Sequence, residues 1–323
     1  MKSRKSLLWA DNLKAFLILL VVIGHTIQYS VINYTSSHVF NYIYSFHMPL
    51  FMLISGFLSY KESSSVSWDG VKRRGIQLLI PYVIWTLVFC LTMRVPIKER
   101  LFETPVYWFL LLLFLICVLM TLCQKVATWL SLKSEIVCIV VLFVLFIFYA
   151  VFKPQILSLN ILHLHFLFFS IGWYLRKYEN KFLRNWLIVP TGVLFIFMGW
   201  FYVHGSPSPL VPFLPSGLYY IITGTIGSLF FLTLFRLKFD KPCRGGFVGR
   251  LTLGIYVIHL WICCILSPLF LDYVQQNGLK AIFVIVAGIM AVSIILSLLF
   301  AKSKTLYFVI GLRRETSYMS LEK

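Results

Sequence analysis

Apolar residues along this chain do not alternate with polar ones; they run in ten blocks of eighteen residues or more, separated by short polar breaks. The blocks lie near 12–31, 39–60, 76–93, 106–123, 135–152, 158–175, 183–203, 217–235, 251–270 and 279–300. Crossing the hydrocarbon of a bilayer takes roughly 20 mainly apolar residues in a helix. Blocks this long and this rich in Leu, Ile and Phe fit helices and not barrel strands, whose outward and inward positions must alternate. The pattern therefore predicts an all-α, polytopic membrane bundle of about ten transmembrane helices.

Composition agrees: 60% of the 323 residues are hydrophobic and 12% are charged. A net charge of +18 would suit a nucleic-acid partner, but the position of the Lys and Arg residues points to topology. With the N-terminus inside, the segments on its side hold 24 of the 29 basic residues, and the opposite side keeps Arg94, Lys98, Arg100, Lys153 and Lys280. By the positive-inside rule both termini are cytoplasmic, which an even number of spans requires, and no nucleic acid is implied. The first block superficially resembles a signal peptide, yet no small-residue cleavage pattern follows it, so it is expected to stay as the first helix. The linkers are short and no internal repeat occurs. The one biased loop is the proline-rich "HGSPSPLVPFLPSG" between the seventh and eighth blocks, so a single membrane domain over 1–323 is expected. Seven cysteines imply neither a disulfide framework nor a zinc site.

Two histidines stand out within the first two blocks, in "VVIGHTIQYS" and "SFHMPLFMLISGF". An ionisable side chain inside a membrane segment is a functional candidate by default. Ser36 is eleven residues from both His25 and His47, so a symmetric hairpin sets the two imidazoles at one depth, facing one site. Pro49 predicts a kink beside His47, and the small Ser55, Gly56 and Ser59 after it predict a cavity. Lys14 precedes His25 by eleven residues. Eleven residues return to nearly the same helix face and rise about 16 Å, from the inner interface to deep in the membrane. A ligand with an anionic head and a long slim arm fits that spacing, and acetyl-CoA has that shape. Asp11, one short turn from Lys14, is expected to orient the lysine or the helix start.

The motifs "DNLKAFLILLVVIGH", "YSFHMPLFMLISGFL", "KRRGIQLLIPYVIW", "YWFLLLLFL", "FFSIGWYLRK" and "GRLTLGIYVIHL" occur in an order that resembles the membrane acyltransferase-3 family, most closely its fucose 4-O-acetylase-like branch. The resemblance covers nearly the whole chain. It implies that Lys14 is the essential basic residue of the first span and that His25 serves acyl transfer. Much of the family carries arginine at the position of Lys14, and a lysine there gives up bidentate phosphate binding. A cytoplasmic Arg-x-x-Arg pattern of the family is here Arg74 followed by Gln77, with Lys72 and Arg73 close by as further candidates for the coenzyme.

The chemistry that these residues offer is ester formation. Transfer of acetyl from a thioester to a sugar hydroxyl needs a base for the hydroxyl proton, and histidine suits that role. His25 is the candidate general base or transient acyl carrier, and His47 would position the acceptor or polarise the thioester carbonyl. No Asp or Glu lies in the interior of a block, so neither a buried carboxylate triad nor a metal site is expected. Tyr256 with His259, three residues apart on the ninth block, and Trp108 beside Tyr107 are candidates for the acceptor. His163 and His165 are two apart, face different ways and are expected to serve packing. The sequence thus predicts a multi-pass acyltransferase of the bacterial cytoplasmic membrane that O-acetylates a sugar of a surface polysaccharide or its lipid-linked precursor. Two rivals remain: a flippase for a lipid-linked glycan, which would show repeat symmetry or paired broken helices, and a membrane scaffold, which gives Lys14 and His25 no reason to share a face.

Overall fold

A computed structural model describes residues 7–60, 68–179, 183–204, 206, 215–241, 246–303 and 305–312. Its regular elements are helices, and no strand occurs among the described residues. In chain order they are α1 (Leu8–Ser30), α2 (His38–Tyr44), α3 (His47–Ser59), α4 (Trp68–Met93), α5 (Trp108–Trp129), α6 (Ser134–Phe152), α7 (Leu162–Lys177), α8 (Ile188–Trp200), α9 (Ser216–Lys238), α10 (Gly246–Arg250), α11 (Thr252–Asn277) and α12 (Lys280–Lys302). The protein is an all-α, polytopic membrane protein.

Each of the ten apolar blocks contains a helix, with three differences from expectation. The second block is broken at Ser45–Phe46 into α2 and α3. Pro49 falls in the first turn of α3, where a missing N–H leaves no helical bond unmade, so it helps to start a helix and does not kink one. The sixth and seventh blocks yield helices of 16 and 13 residues, α7 and α8, so eight segments among the described residues are long and apolar enough to cross a bilayer. The ninth block runs on through Pro268 to Asn277, which brings Asp272 into the exposed last turns of α11. Most of the proline-rich loop and the Cys243 region lie outside the described residues.

The chain forms two compact units, one of Met1–Ile54 with Tyr178–Leu299 and one of Ser55–Lys177 with Phe300–Lys323. In the first, α1 packs along α11 and against α9, α10 and α2. Its core is aromatic: Phe46 stacks on Phe231 at 4.8 Å, and Phe195 meets Phe46 edge-on at 4.9 Å. In the second, α5 packs on α4, α6 and α7, and Trp85 Nε1 donates to the Val309 carbonyl at 3.0 Å. Gly56 sits where a Cβ would overlap the backbone carbonyl of Phe169, and Ser59 Oγ donates to the Ser55 carbonyl at 2.6 Å. The small residues after Pro49 thus serve close helix contact, and the cavity predicted there is replaced by packing. Buried Thr86 and Thr121 turn their hydroxyls onto the carbonyls four residues back, the usual solution where no water can reach. The apolar windows of α6 and α12 have mean hydropathy of 2.9 but are only 11% and 22% buried, as lipid-facing helices should be.

Candidate functional site

Unbroken from Leu8 to Ser30, α1 places Lys14, Ile18, Val21 and His25 on one stripe, at intervals of four, three and four residues. Ile18 and Val21 are buried, while Lys14 and His25 are half-buried, so the stripe faces protein with its two polar ends partly accessible. Lys14 Nζ is paired with Asp11 Oδ1 at 2.7 Å, one turn back. Asp11 therefore has the orienting place expected of it. Gly249 of α10 lies so close to the Asp11 backbone that any Cβ there would overlap it, which fixes the start of α1.

At the other end of the stripe, His25 Nδ1 lies 3.0 Å from Gln28 Oε1. The amide oxygen can only accept, so Nδ1 carries the proton and Nε2 carries the lone pair. Tyr44 Oη donates to the same oxygen at 3.1 Å. Tyr44 reaches it because Gly24 has no side chain: a Cβ there would stand 3.0 Å from the tyrosine ring. Gln28 thus occupies the place that a carboxylate holds in other histidine sites, with two donors on one neutral oxygen.

His47 and His259 flank this centre in different ways. His47 is 3% exposed and donates from Nδ1 to the Ile43 carbonyl at 2.8 Å. That bond spans the α2–α3 break, and the same carbonyl accepts from the Phe46 backbone N–H at 3.3 Å. The Tyr44 ring meets it edge-on at 4.7 Å, so His47 joins the His25 centre through Tyr44 and Gln28. The His259 ring lies beside His25, their centroids 5.3 Å apart. Fully buried on α11, it donates from Nδ1 to the Ile255 carbonyl at 2.8 Å, and its Nε2 has no hydrogen-bond partner among the described residues. A buried acceptor of this kind needs an explanation, and a hydroxyl-bearing substrate beside His25 is one. Tyr256, 8% exposed, packs 5.9 Å from the His259 ring.

The remaining candidates belong to the second unit. Lys72 and Arg73 are exposed on the first turns of α4, with Arg73 Nε on the Asp69 carbonyl at 3.1 Å. Arg74 turns inward to donate to Ser59 Oγ at 3.1 Å. Trp108 opens α5 and meets the His165 ring edge-on at 5.3 Å. His163 stacks on Tyr149 at 4.4 Å, so the two α7 histidines do face different neighbours. Gln28 and Tyr44 were not singled out from the sequence. Gln28 had a signal in its i,i+3 spacing from His25. Tyr44 had none, because its contact depends on how α2 folds back over Gly24.

The chain matches the acyltransferase-3 family, described as an acyltransferase domain, over residues 7–302. It belongs to that family. The matched range holds Lys14, His25 and His259 and includes residues of both units. Among curated proteins the chain is similar to Nodulation protein NolL of Mesorhizobium japonicum, 37% identical over 145 residues, 39% of each chain. It is also similar to Nodulation protein NolL of Sinorhizobium fredii, 44% identical over 80 residues, 23% of this chain and 22% of that protein. The matches thus span about two fifths and one fifth of those relatives' lengths. No solved structure gives a significant match. Membership of the acyltransferase-3 family agrees with the multi-pass helical membrane architecture described above.

Proposed function

We propose that the protein is an O-acetyltransferase of the bacterial cytoplasmic membrane that moves acetyl from acetyl-CoA to a hydroxyl of a surface polysaccharide or its lipid-linked precursor. The observation that carries this reading is the α1 stripe: a cation at one end, a histidine of fixed tautomer at the other, on one unbroken helix. Their separation along the axis is about 16 Å. Lys14, held by Asp11, would meet the phosphates of the coenzyme, and the pantetheine arm would lie along Ile18 and Val21 toward His25.

His25 Nε2 then takes the proton of the acceptor hydroxyl as its oxygen attacks the thioester carbonyl. The bond from carbonyl carbon to sulfur breaks, and the imidazolium returns the proton to the leaving thiolate, giving the ester and free CoA. Gln28 and Tyr44 hold the tautomer that makes Nε2 the base. His259 Nε2, also a lone-pair nitrogen, would accept from a different hydroxyl of the same sugar, beside the one that reacts. The Nδ1 partner of His25 is the neutral Gln28 amide and not a carboxylate, so the imidazolium exists only while the tetrahedral intermediate balances its charge.

Purified protein with acetyl-CoA and de-O-acetylated glycan from the host cell tests the assignment. Mass spectrometry is expected to find one acetyl group, 42 Da, added per turnover with stoichiometric CoA. Turnover of acetyl-CoA that leaves no acetyl on any glycan would refute it.

A further inference from the structure

At the helix ends beyond His25, a cavity of about 530 Å³ lies between residues 35–41 and 200–206 of the first unit. That size is within the range of about 300–1,000 Å³ typical of small-ligand pockets. Its walls combine one large aromatic surface with hydroxyl and imidazole groups: Trp200, His38, His204, Thr35, Ser36 and Ser206 line it. Trp200 is 61% exposed and stacks on His38 with 13° between the rings and 5.2 Å between centroids. The two walls are tied by Asn41, 6% exposed, which accepts from the His204 backbone N–H at 3.0 Å and donates to the Thr35 carbonyl at 2.7 Å. An amide that clamps two loops together gives the cavity a fixed width.

Lipid tails would not use such walls, because the hydroxyls and imidazoles would lose their hydration without replacement. A sugar ring offers both halves of the complement: a C–H face for an indole and hydroxyls that donate and accept. Burial lowers the His204 pKa, so the ring is neutral; its Nδ1 lies 3.4 Å from Tyr202 Oη, and its Nε2 is the nitrogen offered to a ligand. Position gives the second argument. The His204 ring meets Tyr44 at 5.1 Å, and Tyr44 is bound to Gln28, the partner of His25. One residue layer therefore separates the cavity from the histidine centre. That is too far for a ring held here to present its own hydroxyl to His25, and about right for its neighbour in a glycan.

We propose that this cavity is a glycan subsite, which holds a sugar ring against Trp200 beside the ring being acetylated. The inference rests on the acetyltransferase reading and adds to it where the acceptor is gripped and that the acceptor is an oligosaccharide. A tryptophan at a helix end also suits the interfacial aromatic belt, which is the competing account.

The test uses the full chain in nanodiscs and two acceptors prepared from the host cell: de-O-acetylated water-soluble oligosaccharides and the matching lipid-linked glycan. In Trp200→Ala the acceptor KM is expected to rise about tenfold with both acceptors, the loss of one aromatic contact. The kcat and the KM for acetyl-CoA are expected to stay within about twofold, which also reports an intact fold. Trp200→Phe is expected to recover part of the loss. Without acetyl-CoA, saturation-transfer NMR is expected to show the oligosaccharide protons receiving magnetisation from wild type, and a titration to show about tenfold weaker binding to Trp200→Ala. An unchanged acceptor KM and binding affinity, or a loss confined to the lipid-linked acceptor, would make Trp200 a belt residue and overturn the subsite. Because the NMR arm needs no turnover, a wild-type protein that binds oligosaccharide through Trp200 but acetylates nothing would sink the transferase reading and leave the subsite standing. Failure of wild type to bind any oligosaccharide would end the subsite.

Discussion

At the scale of single residues, the proposal depends on which nitrogen of His25 holds the proton. His25→Ala removes the base but no packed hydrocarbon, so turnover is expected to fall by at least about a hundredfold with protein abundance unchanged. Wild-type turnover in the purified variant would remove His25 from the chemistry. Gln28→Leu leaves Nδ1 without its acceptor and is expected to lower kcat by about 10–100-fold, the usual effect of losing a group that orients a functional histidine. Gln28→Glu keeps an acceptor in place and is expected to restore much of that loss, a rescue that a purely structural role would not show. In the proposed mechanism Lys14 serves the donor. Lys14→Ala is expected to raise the KM for acetyl-CoA, with Lys14→Arg close to wild type, and the difference is expected to shrink as salt screens the phosphates. Equal donor affinity in wild type and Lys14→Ala, measured by equilibrium binding, would separate Lys14 from the coenzyme.

Elements decide which residues meet, and here the sequence was legible to different depths. The α1 stripe could be read directly, because one regular helix converts spacing into position. Asp11 beside Lys14 followed from the same geometry. The second block could not be read that way: the break at Ser45–Phe46 turns α2 over α1, and with it Tyr44, which no period announces. Depth alone pointed to His47 as a partner of His25, and helix packing also brings the His259 ring of α11 to 5.3 Å from it. Contacts between helices far apart in sequence are set by side-chain shape, and apolar periodicity carries little of that. The close approach at Gly24 gives a test at this scale. Gly24→Val forces the Tyr44 ring away and is expected to reduce turnover as Gln28→Leu does, while Gly24→Ala, nearest the 3.0 Å limit, is expected to be milder. Activity equal to wild type in Gly24→Val would show that Tyr44 does not need its place on Gln28.

For the molecule as a whole, the proposal concerns direction. The phosphates of acetyl-CoA stay on the basic side, the thioester reaches about 16 Å up α1, and the acceptor would arrive from the opposite face. In oriented vesicles, acetyl-CoA on the cytoplasmic face and an impermeant glycan on the other are expected to give product. Product formed only when both share the cytoplasmic compartment would reverse the direction and leave the transferase intact. The neutral oxygen of Gln28 has a further consequence, for biogenesis. A first helix with a carboxylate fixed beside its histidine would carry a further ionisable group into the membrane, where such groups are costly. With an amide there and Asp11 already matched to Lys14, α1 enters the bilayer as an ordinary apolar anchor, and its reactive end acquires meaning only after α2 and α11 have closed around it.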